Sequence, residues 1–232
     1  MGKRNYLLTV ALVFILAGCS TQKSVQIVSE GYKTTKINNA SLVILPLSER
    51  FVDSEVWENH FQFDSTNSSD ISLHNRFLFF EYYGTAFSRV STSNVKDLST
   101  STNLENVNSS IEYENVKLAT DKEGEFLTFL APKNGTLTID NQEPDFVLFT
   151  QTLRWKNELK SQGTVIMGSE NEYSVNINIK LKYLIWDNKN ERIASYGVIL
   201  KTESLMGVPK SPTYEKIATE LAQDIIEASP IF

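Results

Sequence analysis

Residues 175–183 read Val-Asn-Ile-Asn-Ile-Lys-Leu-Lys-Tyr, with an apolar residue at every second position. Because successive side chains on a β-strand point to opposite faces, this period of two predicts a strand with one buried and one exposed face. Residues 186–191 (WDNKNE) supply a turn, and residues 193–202 return to a strand pattern. The three segments together predict a long antiparallel hairpin near the C-terminus.

Four further segments have clear patterns. The apolar runs LVILPL at 42–47 and FVLF at 146–149 predict strands buried on both faces, the second within a longer strand over 145–155. Apolar residues recur at helical spacing over 70–89, where an aspartate can cap the first turn. A second helix is predicted over 211–228, because a serine and a proline begin it and an apolar stripe follows.

The remaining segments complete the predicted fold. We expect a helix over 51–63, a strand over 90–95, an exposed loop over 99–110, and a β meander or hairpin over 111–140. The predicted class is α+β, as a two-layer α/β domain. Its mixed sheet of about five strands has an antiparallel C-terminal hairpin, two or three packed helices and the inserted meander.

The N-terminus carries a targeting signature. Lys3 and Arg4 precede an apolar run over 6–17, and small residues lead into Cys19. This run is shorter than the roughly 20 apolar residues that a membrane-spanning helix needs. The sequence Leu-Ala-Gly-Cys at 16–19 resembles the lipobox of bacterial lipoproteins, with all four positions matched.

This resemblance implies a modified and anchored protein. Residues 1–18 would be cleaved as a signal peptide, and Cys19 would carry the acyl chains that hold the chain on a membrane. Ser20, where an aspartate would imply retention in the inner membrane, implies the periplasmic face of the outer membrane. We expect a flexible tether over 19–40, whose main apolar interruption is at 25–28 and part of which can pair as an edge strand. A single α/β domain is expected over 41–232, with an insertion at about 96–144.

Composition restricts the remaining classes of function. The chain has 232 residues and a formal charge of −6, which becomes −8 when the signal peptide takes Lys3 and Arg4 with it. The linear sequence has no basic stripe, which argues against binding of nucleic acid and against a polybasic lipid contact. Cys19 is the single cysteine, so an acylated chain has no thiol for disulfides, catalysis or metal binding.

No catalytic or metal motif is recognisable. His60 and His74 lack the spacing of a metal site, and nucleophile-elbow, P-loop and dinucleotide fingerprints are absent. We therefore predict no cofactor, no metal and no enzymatic activity. Acidic clusters in predicted turns are interpreted as solvated loops, although a glycosidase-like carboxylate pair is the alternative. These acids are Asp121, Glu123, Glu125, Glu170 and Glu172.

Aromatic residues supply the candidate partner-binding surface. They crowd the helix predicted over 70–89 and also lie near strand ends, and aromatic residues are enriched at protein interfaces. The alternative is a core helix that faces the sheet, together with tryptophans that pack against loops. The candidates are Phe79, Tyr82, Tyr83, Trp155 and Trp186.

The order of elements is similar to the small α/β domain of bacterial lipoproteins of the curli-secretion-channel, penicillin-binding-protein-activator and TolB amino-terminal type. The likeness rests on the strand at 42–47, the strand DFVLF at 145–149, the hairpin whose turn follows an aspartate at 184–197, and the helix at 214–228. It implies the fold rather than the function, and 96–144 has no counterpart in it.

We therefore expect a non-enzymatic outer-membrane lipoprotein that acts as an accessory or scaffold for a protein partner in the cell envelope. Two alternatives stay open at this point: an envelope glycan or peptide hydrolase, and a lipoprotein that binds a small lipid or ligand.

Overall fold

The computed structural model describes residues 24–47, 68–99, 101–133, 135–160, 174–206 and 211–232. These residues form an α+β fold, which confirms the predicted class. A 3-10 turn at Glu30–Tyr32 lies between the first two strands. The strands and helices are β1 (Val25–Val28), β2 (Ser41–Pro46), α1 (Ser68–Val90), β3 (Asn94–Asp97), α2 (Leu104–Ser110), β4 (Tyr113–Ala119), β5 (Phe126–Pro132), β6 (Phe146–Lys160), β7 (Ser174–Asp187), β8 (Arg192–Met206) and α3 (Ser211–Glu227).

Six of the strands form one mixed sheet in the order β1-β8-β7-β6-β2-β3. β2 runs parallel to both β3 and β6, whereas β6, β7, β8 and β1 pair in antiparallel fashion. β2 lies between β6 and the edge strand β3, and its apolar run is buried on both faces, as its sequence predicts. The predicted C-terminal hairpin is confirmed as β7 and β8.

The sheet separates two hydrophobic cores. On one face, α1 and α3 cover the helix-side core, to which β7 contributes Ile177, Ile179 and Leu181. On the other face, α2 and the β4–β5 hairpin cover the hairpin-side core, to which β7 contributes Leu184 and Trp186. The alternation of the β7 sequence therefore sorts its side chains between a helical layer and a surface that the hairpin covers only in part.

A β-bulge changes the faces of β6. Tyr183 of β7 pairs with Thr150, and the next residue, Lys182, pairs with Thr152, so Gln151 is an extra residue on β6. Even-numbered side chains of β6 point into the helix-side core before the bulge, and odd-numbered side chains do so after it.

A glycine allows α1 to lie against the edge of the sheet. A Cβ atom on Gly84 would lie 2.5 Å from the Cβ of Asp97 on β3. Real Cβ contacts are longer than this, so any side chain at position 84 would push α1 away from β3. The helix predicted over 70–89 is confirmed as α1, and the helix predicted from residue 211 is confirmed as α3.

The flexible tether predicted over 19–40 is too long. From Val25 onward the chain is part of the sheet, because β1 pairs with Val198 and its neighbours on β8. The ring of Tyr32 is buried, and Ile37 forms a bridge with Ile231. The segment is mostly polar, which favours the prediction of a tether, but its few apolar residues are enough to anchor it to the body.

Four other predicted segments differ from the structure in bounds or type, lie outside the described residues, or form a separate sheet. The exposed loop predicted over 99–110 is wrong in part, because it contains α2, whose Val107 is buried in the hairpin-side core. The strand predicted over 90–95 begins later and forms β3. The helix predicted over 51–63 lies outside the described residues. The insertion forms the hairpin of β4 and β5, a separate two-stranded sheet.

None of the described helices has the length and apolar character that crossing a membrane requires.

Candidate functional site

The strands β6, β7 and β8 extend beyond their outer neighbours. β2 pairs with β6 only as far as Thr150, and β1 pairs with β8 only between Ser195 and Val198. Beyond these points the three strands form what we call the projecting sheet, made of 151–160, 174–182 and 199–206. Among the described strands, none pairs with the outer edge of β6 or β8 in this region.

One face of the projecting sheet is covered by the two long helices. Trp155 of β6 packs edge-on against Phe79 of α1, with ring centroids 5.7 Å apart. It also stacks on Tyr214 of α3 at 5.2 Å. Ile177 and Ile179 are buried beside it. Large aromatic side chains therefore fix the helical layer to this part of the sheet.

The opposite face is polar and basic. Because the bulge turns the even-numbered side chains of β6 outward, Arg154 and Lys156 lie there, both exposed. Lys180 and Lys182 of β7 lie on the same face and are half-buried. Arg154 is directly opposite Lys180 in the register of the two strands. We call these four residues the basic face.

Neutral polar residues surround the basic face. Thr202 of β8 donates a hydrogen bond to the amide oxygen of Asn178 at 2.8 Å, and Ser204 donates to that of Asn176 at 2.7 Å. Asn178 and Thr202 line a shallow depression of about 310 Å³ together with Arg154, Lys156 and Lys180 of the basic face. The alternation of β6 also places Glu158 in register with Asn176, so one acid belongs to this part of the sheet.

The charge pairing of the described cations is uneven. Within the described part of the chain, Arg154 and Lys180 of the basic face are in no salt bridge, and the same is true of the exposed Lys117 and Lys189. Seven other cations each lie within salt-bridge distance of a carboxylate, and they are Lys33, Arg89, Lys96, Lys122, Lys133, Lys201 and Lys216.

Lys182 marks the border with the β4–β5 hairpin. Its ammonium donates to the carbonyl of Thr128 and lies 4.7 Å from the centre of the Phe129 ring. Burial lowers the pKa of Lys182, and the positive charge of Lys180 lowers it further. Like charges on directly opposed strand positions are destabilising. The opposed charges of Arg154 and Lys180 therefore do not stabilise the fold, whereas Lys182 gains contacts to the hairpin.

The basic face was not predicted, although the sequence contains a signal for it. Arg-Trp-Lys at 154–156 and Lys-Leu-Lys at 180–182 each place two cations on one face of a strand. They are separated along the chain, so the linear sequence has no basic stripe. Only the antiparallel register of β6 and β7 brings them together.

The aromatic residues predicted to bind a partner are mostly in the core, and the prediction is wrong for four of them. Phe79, Tyr83 and Trp155 are buried in the helix-side core, and Trp186 is buried in the hairpin-side core. Tyr82 is half-buried and packs against the helix-side core. The alternative, a core helix that faces the sheet, is what the structure has.

The other candidates are dispersed. Asp121, Glu123 and Glu125 are exposed around the β4–β5 turn, and Glu125 pairs with Lys122 at 3.4 Å. Within the part of the chain that the structure describes, no group of three or more metal-ligating side chains is found. Cys19 and the other predicted residues lie outside the described residues or have side chains that are not described, and they are His60, His74, Glu170 and Glu172.

A second concave feature is a cleft of about 770 Å³ beside the ends of α1 and α3. It is open to solvent, and Lys36, Gln223 and Phe232 contribute to its lining. The Lys36 ammonium donates to the carbonyl of Ser229 at 2.8 Å and thereby caps the segment after α3. The main cation of the cleft is thus used in the fold.

Comparisons with known proteins do not assign this chain. No protein-family model matches it, and neither does any curated protein sequence. Solved structures that are similar include PelC dodecamers from Paraburkholderia phytofirmans. In one of them the identity is 9%, the match covers 84% of this chain and 91% of that chain, and the TM-score is 0.30. A homolog of neuraminyllactose-binding hemagglutinin from Helicobacter pylori has 10% identity, covers 83% of this chain and 85% of that chain, and has a TM-score of 0.25. Similarities this distant support neither a shared fold nor a shared function.

Proposed function

We propose that this chain is an outer-membrane lipoprotein, held on the periplasmic face by acyl chains on Cys19. Its body acts as a non-enzymatic accessory or scaffold that binds a protein partner in the cell envelope. The motif at 16–19 and the segment before it are the basis for the anchor. The open edges of the projecting sheet are the observation that carries the partner-binding role.

The anchor and the body are close together along the chain. Four residues lie between Cys19 and Ser24, the first described residue, and the five residue steps from Cys19 to Ser24 reach at most about 18 Å when extended. Two or more acyl chains hold a protein stably on a bilayer. A body attached through so few residues stays beside its leaflet, so its partner must be at or near the same membrane.

The open edges provide a way to bind a protein. The outer edge of β6 over 151–160 is about 34 Å long at 3.4 Å per residue, and the edge of β8 that remains open, over 201–206, is shorter because Ser24 bonds the backbone groups of Leu200. An edge strand presents backbone N–H and C=O groups that an extended segment of another protein can pair with. Such pairing needs no catalytic residue and no cofactor.

The anchor is tested by mass spectrometry of the protein purified from membranes. We expect an N-terminal residue 19 with acyl chains on its sulfur and amine, and we expect the Cys19→Ala variant to lose them and to leave the membrane fraction. A mature chain that keeps residues 1–18, or that carries an unmodified Cys19, would refute the anchor.

The partner-binding role is tested by photo-cross-linking in intact envelopes. A photoreactive residue at Thr152 or Ser204, next to the two open edges, should yield one defined protein adduct. The same residue at Lys122, in the distant β4–β5 turn, should yield none and is the matched control. In the purified complex, amide hydrogen exchange over 151–160 should be slower than in the free protein. If neither edge gives an adduct that the control lacks, the scaffold role is wrong.

A further inference from the structure

Ser24, the first described residue, lies in the same row across the sheet as two of the basic residues. The Ser24 hydroxyl bonds both backbone groups of Leu200, with Leu200 N donating at 3.0 Å and the hydroxyl donating to Leu200 O at 3.3 Å. Leu200 is opposite Lys180 on β7, and Lys180 is opposite Arg154 on β6. Neighbouring strands are about 4.8 Å apart, so this row places the Arg154 backbone roughly 15 Å from Ser24.

This distance matches the reach of the segment that would carry the lipid. The five residue steps from Cys19 to Ser24 extend to at most about 18 Å. Acyl chains on Cys19 would therefore insert into a leaflet within this distance of Ser24, and the Arg154 backbone lies within a similar distance of Ser24. The anchor alone leaves the body free to rotate about this tether, whereas a second contact would fix one face toward the membrane.

The chemistry of the basic face suits phosphate groups at a lipid surface. Arg154 and Lys156 are exposed, and Lys180 is half-buried beside them. Arg154 and Lys180 are opposed like charges that no described acid pairs with, although the chain as a whole carries −6. Such an arrangement costs stability unless an external anion neutralises it.

We propose that the basic face binds anionic phospholipid headgroups of the leaflet that holds the acyl chains, so that the projecting sheet lies against the membrane. The orientation rests on the proposed function, because it requires the anchor on Cys19. The affinity of the basic face for anionic lipid does not depend on the anchor. A protein-binding patch would be expected to contain aromatic anchors, and the described residues of this face have none.

The orientation leaves the open edges available. When one face of a sheet is against a membrane and the other is covered by helices, its two edges point along the plane of the membrane. An envelope protein in the same membrane can then approach β6 or β8 from the side. Lipid contact and strand pairing therefore use different groups, namely charged side chains and backbone amides.

The first experiment measures lipid affinity without the anchor. It uses the chain from residue 19 onward with Cys19→Ser, which retains every described residue. We expect it to co-sediment with phosphatidylcholine vesicles that contain about 30 mol% phosphatidylglycerol, and not with pure phosphatidylcholine vesicles. Binding should weaken as salt screens the charges. The R154Q/K180Q double variant should lower the partition coefficient by about 30-fold, the factor expected for two membrane-surface charges.

The matched control is K122Q/K133Q, which removes the same charge from the β4–β5 hairpin and the segment that follows it. It should leave the partition coefficient within about twofold, since neither lysine is on the basic face. Thermal unfolding of R154Q/K180Q should show a midpoint at or above that of the parent, because the double variant removes like-charge repulsion. Equal binding to both kinds of vesicle, or equal losses in the two double variants, would overturn the proposal.

The second experiment measures orientation in the acylated protein. A fluorophore on Thr202→Cys, beside the basic face, should be quenched by a headgroup quencher in phosphatidylglycerol-containing vesicles but much less in pure phosphatidylcholine. A fluorophore on Gln223→Cys, on exposed α3, should respond weakly in both. Equal quenching at the two positions would overturn the orientation. If Cys19 is not acylated, this experiment fails while the first still succeeds, so failure of the anchor and failure of the lipid surface are distinguishable.

Discussion

The hydroxyl of Tyr32 donates a hydrogen bond to the carboxylate of Asp187 and accepts one from Nε of Arg192 at 2.8 Å. The Arg192 guanidinium also lies over the Tyr32 ring, 4.5 Å from its centre. These contacts join the turn after β1 to the β7–β8 turn. The segment over 24–40 is therefore fixed to the body by a charged network as well as by strand pairing.

The first prediction concerns this network. Tyr32→Phe should reduce the free energy of unfolding by about 1.5–3 kcal/mol, because it removes a hydrogen bond to a buried carboxylate. Tyr82→Phe is the matched control, since its half-buried hydroxyl makes no hydrogen bond with the described residues, and it should change the free energy by less than about 0.5 kcal/mol. Urea unfolding measures both, and equal effects would contradict the role of the network.

The second prediction is a pH dependence of stability. Burial raises the pKa of Asp187, but hydrogen bonds from Tyr32 and Asn190 and the charge of Arg192 outweigh it, so the pKa is below its ordinary value. Asp187 therefore contributes stability above its unfolded-state pKa of about 3.9, and this stability is lost as pH falls through the lower folded-state pKa. Asp187→Asn should lower stability at pH 7 and flatten its decline in acid.

Asp97→Asn gives a control of opposite sign. Burial raises the pKa of Asp97, although hydrogen bonds from Ser99 offset part of the effect. The folded state then binds the proton more tightly than the unfolded state, so ionisation of Asp97 lowers stability as pH rises. Removing this carboxyl should make the acid decline steeper. Unfolding curves measured across pH 2–6 give the stability of both variants, since both acids titrate near that range. If the two substitutions change the steepness of the acid decline in the same direction, these assignments are wrong.

The third prediction uses the contact between α1 and β3. Glycine-to-alanine changes within helices usually stabilise by about 1 kcal/mol. Gly84→Ala should instead destabilise by about 1–3 kcal/mol, because its new methyl group would overlap Asp97. Thr85→Ala, the exposed neighbour on the same helix, should be neutral or slightly stabilising. Thermal unfolding decides between the two signs.

The fourth prediction concerns how the insertion is attached to the sheet. Asn188 is buried, accepts a hydrogen bond from Leu137 N at 2.6 Å and donates one to Leu137 O at 2.9 Å. Asn188→Ala should cost about 2–3 kcal/mol, since both backbone groups lose their partner. It should also speed hydrogen exchange at the Leu137 amide. Asn115→Ala, on the exposed face of β4, should do neither.

The sequence predicted the elements whose patterns are strong. The alternation over 175–183 predicted the longest hairpin, and the apolar stripe that includes Ile217, Leu221 and Ile225 predicted α3. Both patterns arise because one face of the element is buried, and this burial is the dominant contribution to the stability of these elements. The predicted fold class followed from their order.

The sequence did not predict features that depend on contacts between distant residues. The segment around β1 joins the sheet because Val25 and Ile27 pair with β8. The apolar residues at 25–28 indicate that part of the segment can form an edge strand, but not that β8 is its partner. The aromatic residues Phe79, Tyr83 and Trp155 belong to one packed cluster, although alone each resembles a surface anchor. The basic face depends on strand register, which no single strand sequence determines.

The extra residue Gln151 determines which side chains of the second half of β6 face the helices and which face solvent. Among the described side chains that follow it, inside and outside are exchanged, so Trp155 enters the helix-side core while Arg154 and Lys156 reach solvent. A chain shortened by this one amino acid would have to bury two cations or shift the whole strand against β7. Insertions and deletions at this point therefore alter both the packing of the helical layer and the charge presented to the surroundings.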